Sequence, residues 1–501
     1  MKRLLLYPVL MVALLLASCT DDDSFTTSRS ALLTFSTDTV ALDTVFSTVP
    51  TSTHTFWVYN NGNDGLRLSQ VRLQRGNQSG YRVNVDGSYL DNELGSKIND
   101  LEIRKGDSIR VFVELTSPVN NADSPQLVED NLLFTLESGV EQKVCLRAYS
   151  WDAQIINHLH VTSDTVLSSS KPILIRGGIT VDSMKTLAIT APTKLYFHDG
   201  AGVDVYGRLL VNGTADNNIV FRGDRTDKMF PYLPYDRISG QWKGIHFYSS
   251  STGNVINYAD IHSAMDGILC DSAAYDSTQV RLQIDHSIIH NCKGVGLQAI
   301  NSYVNVFNSQ ITNTLGDCVA IYGGLAQIVY STLGQFYPFK ADCGVALRFT
   351  NFSPLRGDIP LYGLVCYNTL VTGRSEDVVM GEVKDSLVAY NYFFSHCLLR
   401  TPAITDSTKL APFAQVIFEQ PTDSVNGKKH FLKIDDDNMY YDFRLDSVST
   451  ACGKALPMIQ EGFVDDRNGR QRGDKPDIGC YQRESHFGMK LPLYHSISQK
   501  R

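Results

Sequence analysis

The residues best suited to acid–base or metal chemistry cluster between positions 260 and 285. The cluster contains Asp260, Asp266, Asp271, Asp276, Asp285, Arg281 and His262. Paired carboxylates can act as general acid and base in glycoside hydrolysis, or can hold Ca²⁺ against an acidic sugar while a basic side chain removes a proton. An enzyme built on this chain would use Asp260, Asp266, Asp285 and Arg281. The aspartates follow no repeated Asp-x-x-Asp column, so the cluster alone does not define an active site.

A second candidate site lies in the segment 222–241, which interrupts a regular apolar alternation. It contains the run Phe230-Pro-Tyr-Leu-Pro-Tyr235 and adjacent charged residues. Aromatic faces beside acidic and basic groups are suited to holding sugar rings. The ligand-binding candidates are therefore Tyr232, Tyr235, Asp236 and Arg237. The alternative is that the aromatics fold back over the flank of the core, which we expect of Trp242.

Two histidines, His286 and His290, have the spacing that would place metal ligands on one face of a helix. The local pattern is not helical, so we do not expect them to share a face. Ser263, Asn291 and Asn313 recur two positions after the core column, where their side chains could hydrogen-bond along the turn. His262, His290 and Thr312 precede them in a column that we expect to face outward. We expect a solvated turn ladder here and not a metal or catalytic site. The sequence therefore predicts no metal site, and the absence of a C-x-x-C pair argues against structural zinc. No cofactor is expected, and Ca²⁺ enters only if the chain is a lyase.

These residues belong to a stretch from about 257 to 397 that repeats. One aliphatic or aromatic column consists of Ile261, Ile289, Ile311, Leu333, Leu370 and Phe393. The spacings are 28, 22, 22, 37 and 23 residues, so 22 is the base period and the longer gaps are insertions. A fixed period of this length predicts a solenoid.

The repeats are expected to consist of strands. They are rich in Val, Ile, Tyr and Phe with two-residue alternation, and they lack the i, i+3, i+4, i+7 pattern of a helix. A second short strand begins near Gly267, Gly294, Cys318 and Gly344. Two or three strands per coil predict a parallel β-helix, because stacking coils about 4.8 Å apart pairs every strand and buries a continuous core.

Residues 1–18 have the features of an export signal. A basic pair precedes the apolar run 4–17, which is too short to span a membrane. The tetrad Leu16-Ala-Ser-Cys19 resembles a bacterial lipobox. That resemblance implies that Cys19 is lipidated and that the acyl chains anchor the protein.

Residues 19–30 form an acidic tether after this cysteine. The run Thr20-Asp-Asp-Asp23 resembles the signal that directs lipoproteins of Bacteroides-like bacteria to the outer face of the outer membrane. The alternative is a solvated linker. The resemblance implies a cell-surface protein whose partners include the outer membrane.

Composition narrows the class of protein. The 501 residues are 43% hydrophobic and 10% aromatic, enough for sizeable cores, and the net charge of -8 argues against nucleic acid as a partner. Lipidation of Cys19 leaves nine cysteines, an odd number for a disulfide framework. Five follow the coil period: Cys270, Cys292, Cys318, Cys343 and Cys366. We expect buried thiols that fill small core positions.

Residues 31–152 have longer alternating strands separated by turn signals such as Asn61-Gly62, which predicts a β-sandwich. The order Val-Tyr-Asn-Asn-Gly at 58–62, Val-Asn-Val-Asp-Gly at 83–87 and Gly-Asp-Ser-Ile-Arg-Val at 106–111 resembles an immunoglobulin-like domain of bacterial surface lipoproteins. This resemblance concerns fold and not activity.

Residues 153–483 are assigned to the solenoid, followed by a tail at 484–501. The end of this region resembles the closing motif of right-handed parallel β-helix proteins from Bacteroides-like bacteria. The matching residues are Asp466, Gly469, Arg472, Asp477, Ile478, Gly479 and Tyr481. Cys480 replaces the usual alanine, which leaves the implied fold intact.

That family includes polysaccharide lyases, hydrolases and adhesins. The Gly-His-Gly sequence of pectin hydrolases is absent from this chain. We therefore expect a non-catalytic surface protein that binds a polysaccharide or a surface protein through the β-helix flank. The alternative is a polysaccharide lyase or glycoside hydrolase acting on an acidic glycan.

Overall fold

The computed structural model describes residues 24–483. The signal peptide 1–18, the lipidation candidate Cys19 with the start of the tether, and the tail 484–501 therefore lie outside the described residues. The chain divides after Asp152 into two compact units. Within the described part, no helix is long and apolar enough to cross a membrane.

The first unit contains two five-stranded sheets around one core, which confirms the predicted β-sandwich. Its strands are β1 Thr34–Phe35, β2 Thr39–Phe46, β3 His54–Tyr59, β4 Leu66–Leu73, β5 Tyr81–Val85, β6 Ser88–Tyr89, β7 Lys97–Ile103, β8 Ser108–Leu115, β9 Gln126–Leu136 and β10 Glu141–Trp151, with a 3₁₀ turn at Gly76–Gln78. The sheet orders are β1-β3-β8-β5-β6 and β2-β10-β9-β4-β7. Alternate side chains point inward, as Ile109, Val111 and Val113 of β8 do, and are buried.

The second unit is a parallel β-helix. Its strands are β11 Gln154–Ile156, β12 Leu159–Val161, β13 Thr165–Leu167, β14 Ile173–Ile175, β15 Ile179–Val181, β16 Thr186–Thr190, β17 Lys194–Phe197, β18 Val203–Val205, β19 Arg208–Asn212, β20 Ile219–Gly223, β21 Lys228–Phe230, β22 Leu233–Pro234, β23 Ile245–Phe247, β24 Asn254–Asn257, β25 Ala259–His262, β26 Ile268–Cys270, β27 Leu282–Asp285, β28 Ile288–Cys292, β29 Leu297–Phe307, β30 Gln310–Thr314, β31 Val319–Val329, β32 Thr332–Gln335, β33 Leu347–Thr350, β34 Phe352–Ser353, β35 Gly357–Asp358, β36 Leu361–Tyr367, β37 Leu370–Gly373, β38 Val379–Glu382, β39 Tyr390–Ser395, β40 Leu398–Arg400, β41 Phe413–Ala414, β42 Ile417–Glu419, β43 Phe431–Asp435 and β44 Tyr440–Leu445. Short 3₁₀ turns occur at Tyr235–Arg237, Ser407–Lys409 and Gly427–His430.

Each coil contributes three strand segments, and stacked segments pair in parallel. The first side is an 11-stranded sheet in the order β11-β14-β17-β20-β25-β28-β30-β32-β37-β40-β42, which we call the first sheet. The other two sides form one 17-stranded sheet, because β29 and β31 run through the corner between them. A continuous core of inward-facing aliphatic and aromatic residues fills the solenoid.

The predicted column is confirmed over four coils. Ile261 pairs with Ile289, Ile289 with Ile311, and Ile311 with Leu333, and all four side chains are fully buried. The last two predicted members are wrong. Leu333 pairs with Val371, so Val371 occupies the column position that was predicted for Leu370.

The register error has a physical cause. Leu370 points away from the solenoid core into a second hydrophobic core that the C-terminal segment covers. Residues of this strand are therefore apolar on both faces, and alternation no longer reveals which face is inside. Phe393, the other misplaced member, lies on β39 in the 17-stranded sheet, where it pairs with Val365.

The closing motif was expected to end the solenoid, but it lies along its side. Arg472 Nη2 donates to Asn308 Oδ1 at 3.0 Å, the backbone N–H of Cys480 donates to Thr332 Oγ1 at 3.0 Å, and the backbone N–H of Gly479 donates to the Asn368 carbonyl at 2.8 Å. These partners belong to successive coils beside the first sheet. The returning chain therefore covers part of that sheet and leaves the rest as a groove.

Candidate functional site

The outward face of the first sheet forms the floor of an open cleft of about 460 Å³. One wall is the 3₁₀ turn Tyr235–Arg237 in the insertion between β20 and β23. The other wall is the hairpin β43–β44. Residues that line the cleft include Asp236, Arg237, His290, Gln310, Tyr440 and Tyr481.

The insertion is fixed at its base by Trp242. Its indole is buried and stacks on Phe197, with ring centroids 4.4 Å apart and planes 12° apart. Its Nε1–H donates to the His262 carbonyl at 2.8 Å. Trp242 was expected to fold back over the flank of the solenoid, but its side chain lies inside the core, stacked on Phe197 and Phe221. Ser263 Oγ adds a 2.8 Å hydrogen bond to the Asp236 carbonyl. The wall of the cleft is therefore held directly against β25.

A charged network joins this wall to the sheet. His262 lies between two carboxylates, with Nδ1 2.9 Å from Asp260 Oδ1 and Nε2 2.8 Å from Asp236 Oδ1. Arg222 Nη1 contacts the same oxygen of Asp236 at 2.6 Å. His290 stacks on His262 with ring centroids 4.8 Å apart, and its Nε2 is 3.3 Å from Asp260 Oδ1.

The network favours the charged forms of His262, Asp260 and Asp236. Burial lowers the pKa of His262, but Asp260 and Asp236 outweigh it and raise the pKa to about 9. Burial likewise raises the pKa of both carboxyls, yet His262 outweighs this and leaves the pKa of Asp260 and of Asp236 below the usual value. An imidazolium between two carboxylates does not provide the carboxylic acid of raised pKa that a glycosidase uses as its general acid.

The network corrects the expectation for the histidine column. His262 is 5% exposed and Thr312 is fully buried, so these side chains do not form a solvated ladder. The insertion and the returning chain cover them. The expectation of no metal site rested on i, i+4 spacing in a helix, but in stacked coils residues 28 positions apart are direct neighbours, as His262 and His290 are. Among the described residues, Asp260, His262 and His290 could hold a cation.

His286 lies apart from this network. Its ring stacks on Tyr258 at a centroid distance of 4.6 Å. Its Nδ1 is 2.8 Å from Asp285 and its Nε2 is 3.3 Å from Asp465. His286 and His290 were not expected to share a face, and the structure gives them separate sets of contacts.

Two of the four ligand-binding candidates line the cleft, and the other two, Tyr232 and Tyr235, are not among its lining residues. Asp236 and Arg237 line the cleft, and Arg237 lies over the Tyr440 ring with its guanidinium carbon 5.8 Å from the centroid. Tyr232 is 51% exposed and stacks on Phe230 in the hairpin β21–β22. The ring of Tyr235 is covered by Arg225, whose guanidinium carbon lies 3.7 Å from the centroid.

The four residues named for an enzyme have separate surroundings. Asp266 accepts a hydrogen bond from the Val295 N–H at 2.9 Å, and its burial raises its pKa. Asp285 ends β27 and contacts His286. Arg281 is buried and donates to backbone carbonyls of the coil corner, including that of Ser251 at 3.1 Å. Only Asp260 belongs to the charged network beside the cleft.

Sequence reasoning missed Tyr440 and Tyr441. They follow the acidic run Asp435-Asp-Asp-Asn438 and start the second strand of a hairpin. Their pattern could have identified a hairpin. It could not have shown that the chain returns to the first sheet, because that contact joins residues about 200 positions apart, such as Arg237, whose guanidinium donates to the Asn438 carbonyl.

The fold is that of an all-β protein, and its candidate site lies on the flank of a parallel β-helix. The family described as "Right handed beta helix region" matches residues 159–332, which agrees with the expected handedness. No curated protein matches the chain.

Two solved structures show a weak likeness. One is the Agl-KA catalytic domain, with 10% identity, a TM-score of 0.23 and coverage of 69% of this chain and 75% of that chain. The other is the catalytic unit of the thermostable GH87 alpha-1,3-glucanase from Streptomyces thermodiastaticus strain HF3-3, with 11% identity, a TM-score of 0.23 and coverage of 73% and 88%. At these values neither likeness bears on the activity of this chain.

Proposed function

We propose that this chain is a lipid-anchored protein of the outer-membrane surface that binds carbohydrate in the cleft along the first sheet. The main observation that supports this proposal is the cleft. Its open shape suits a segment of an extended glycan that follows the flank of the solenoid. The lipobox-like sequence ending at Cys19 and the acidic residues after it support the anchor and the surface location. The sandwich of residues 31–152 then serves as an immunoglobulin-like spacer.

The lining of the cleft has the two features that sugar binding needs. Tyr440 is 46% exposed and offers an aromatic face, which is flanked by Arg237 and by Lys433 with its Nζ 5.4 Å from the ring centroid. Asn468, which is exposed and lines the cleft, adds an amide group that can pair with sugar hydroxyls. This mixture of one aromatic face with cationic and amide groups favours an acidic or strongly hydroxylated glycan.

The state of the carboxyl groups supports binding over hydrolysis. The pKa of Asp260 and of Asp236 is lowered, because the favourable contacts of the ionised forms outweigh burial. Glycosidases instead pair an ionised carboxylate with a carboxyl of raised pKa. The enzyme alternative therefore has no acid–base pair in this network.

A glycan array tests the proposal. Tyr440→Ala should weaken binding by roughly tenfold if stacking contributes about 1 to 2 kcal/mol. Tyr149→Ala is the matched control, because Tyr149 is equally exposed, at 47%, but belongs to the sandwich. Loss of binding in the double variant of Tyr232 and Tyr235, with Tyr440→Ala unaffected, would move the contact to the insertion hairpin.

The same incubation separates binding from catalysis. No new reducing or unsaturated ends should appear. Products that disappear with Asp260→Asn, Asp266→Asn or Asp285→Asn would replace the binding proposal by the lyase or hydrolase alternative. A wild-type protein that binds no glycan on the array would refute carbohydrate binding.

A further inference from the structure

We propose that Asp260, His262 and His290 bind a divalent transition-metal cation of the zinc type at the edge of the cleft. One ligand atom from each residue lies within 4.8 Å of the others. The three residues belong to the neighbouring strands β25 and β28, whose parallel register places His262 beside His290. This site goes beyond the proposed carbohydrate binding and does not depend on it.

Two of the three distances between the ligand atoms are close to those of a tetrahedral site, and the third is within 4.8 Å. Asp260 Oδ1 is 2.9 Å from His262 Nδ1 and 3.3 Å from His290 Nε2. Two ligands bound to zinc at about 2.0 to 2.1 Å in tetrahedral geometry lie roughly 3.3 Å apart. Small side-chain rotations would therefore bring the three atoms around one cation.

The donor set distinguishes between metals. Two imidazole nitrogens and one carboxylate are ligands that zinc and its neighbours accept. Ca²⁺ requires six to eight oxygen ligands, and this group supplies a single carboxylate. The chemistry therefore favours Zn²⁺ over the Ca²⁺ that the lyase alternative would use.

Asp236 supplies an independent observation. Its carboxylate accepts a hydrogen bond from His262 Nε2 at 2.8 Å and is itself held by Arg222 at 2.6 Å. Metal-binding histidines usually donate their second ring N–H to a carboxylate, which fixes the tautomer and the ring orientation. Here that arrangement directs Nδ1 of His262 toward Asp260. Asp236 is thus a positioning residue that does not itself bind the cation.

The surroundings leave one coordination position accessible. His262 is 5% exposed, whereas His290 and Asp236 line the cleft. Structural zinc sites have four protein ligands, whereas open zinc sites have three protein ligands and a fourth position that is accessible to water. A water molecule or an oxygen from a cleft ligand would occupy that position.

The test uses metal without carbohydrate. Metal binding can therefore fail while carbohydrate binding is observed, and carbohydrate binding can fail while metal binding is observed. The purified protein is stripped with EDTA, titrated with Zn²⁺ by calorimetry, and loaded with Co²⁺ to record the visible absorption of a tetrahedral site. One equivalent should bind. Asp260→Asn and His290→Gln should abolish binding, and Asp236→Asn should keep the stoichiometry but weaken affinity by about 10- to 100-fold.

His246→Gln is the matched control. His246 Nε2 lies 3.1 Å from Asp271 on the 17-stranded sheet, and this pair is outside the proposed site. The control should bind one equivalent with unchanged affinity, and melting curves in EDTA should show that every variant is folded. No binding by the wild type, equal binding by the wild type and His290→Gln, or loss of binding only in the control would overturn the proposal.

Discussion

Replacing Ile289 or Ile288 by alanine tests the register that places the charged network on the outer face of the first sheet. Consecutive residues of a strand point to opposite faces. Ile289 is fully buried in the solenoid core, whereas Ile288 is partly exposed and lines the cleft. The two substitutions remove the same atoms from opposite faces, so the chemical change is matched.

The expected cost of Ile289→Ala follows from its neighbours. Core substitutions of this type cost about 2 to 5 kcal/mol, and more where the cavity cannot collapse. Ile289 fills the space beside Gly267, where a Cβ would lie 2.6 Å from Ile289 Cγ2. A glycine has no side chain to move into the gap, so we expect about 4 kcal/mol. For the partly exposed Ile288 we expect about 1 kcal/mol.

Urea unfolding measures the difference, followed by far-ultraviolet circular dichroism and by intrinsic fluorescence. The midpoint should fall strongly for Ile289→Ala and slightly for Ile288→Ala, with similar slopes for both variants. Equal losses, or a larger loss for Ile288→Ala, would mean that the strand is displaced by one residue. The placement of the neighbouring His290 on the cleft would then be refuted as well.

Three further predictions concern the lipid anchor, the acidic tether and the contact between Glu419 and the returning chain. Cys19→Ala should abolish acyl labelling and release the protein from the membrane fraction, and unchanged fractionation would contradict the anchor. Replacing Asp21, Asp22 and Asp23 by alanine should preserve acyl labelling but reduce the exposure of the protein to added protease. Glu419→Gln should cost about 3 to 5 kcal/mol near neutral pH, because Glu419 is buried against the equally buried His430, 3.0 Å away. Burial raises the pKa of Glu419, but hydrogen bonds from His430 and the Gly427 N–H leave it lowered. Its stabilisation is therefore present above the unfolded pKa of about 4.5 and is lost as pH falls through the folded value, so unfolding free energies measured from pH 7 to pH 3 should fall less steeply in Glu419→Gln. An equally steep decline in both proteins would contradict this.

The architecture of the solenoid could be predicted because it follows from local pattern. The 22-residue period, the two-residue alternation and the second strands near Gly267 and Gly294 all depend on residues that face the inside of the coils. These second strands pair as expected, with Ile268 beside Leu297 and Leu297 beside Val319. Inward positions are apolar whatever covers the outer surface, so the repeating apolar pattern can be recognised in the sequence.

The outer surface was harder to predict because it depends on distant contacts. Leu370 was placed in the core column because it is apolar, but its apolar neighbours are residues of the returning chain such as Phe443 and Ile478. Nothing within a strand distinguishes an apolar residue that faces the core from one that faces a later segment. The same limitation applies to Tyr440, whose position in the cleft depends on the path of the chain after residue 419.

The histidine pair illustrates which spacing rule applies to a solenoid. His262 and His290 are 28 positions apart, too far for one helical turn or one short strand to bring them together. Their common position is the residue after Ile261 and after Ile289, so an aligned set of coils predicts that they are adjacent. The insertion of six residues above the base period between these coils conceals that adjacency. Candidate ligands in such a chain should therefore be compared by their offset from the core column, and that comparison brings His262 and His290 together with Asp260, two residues before His262.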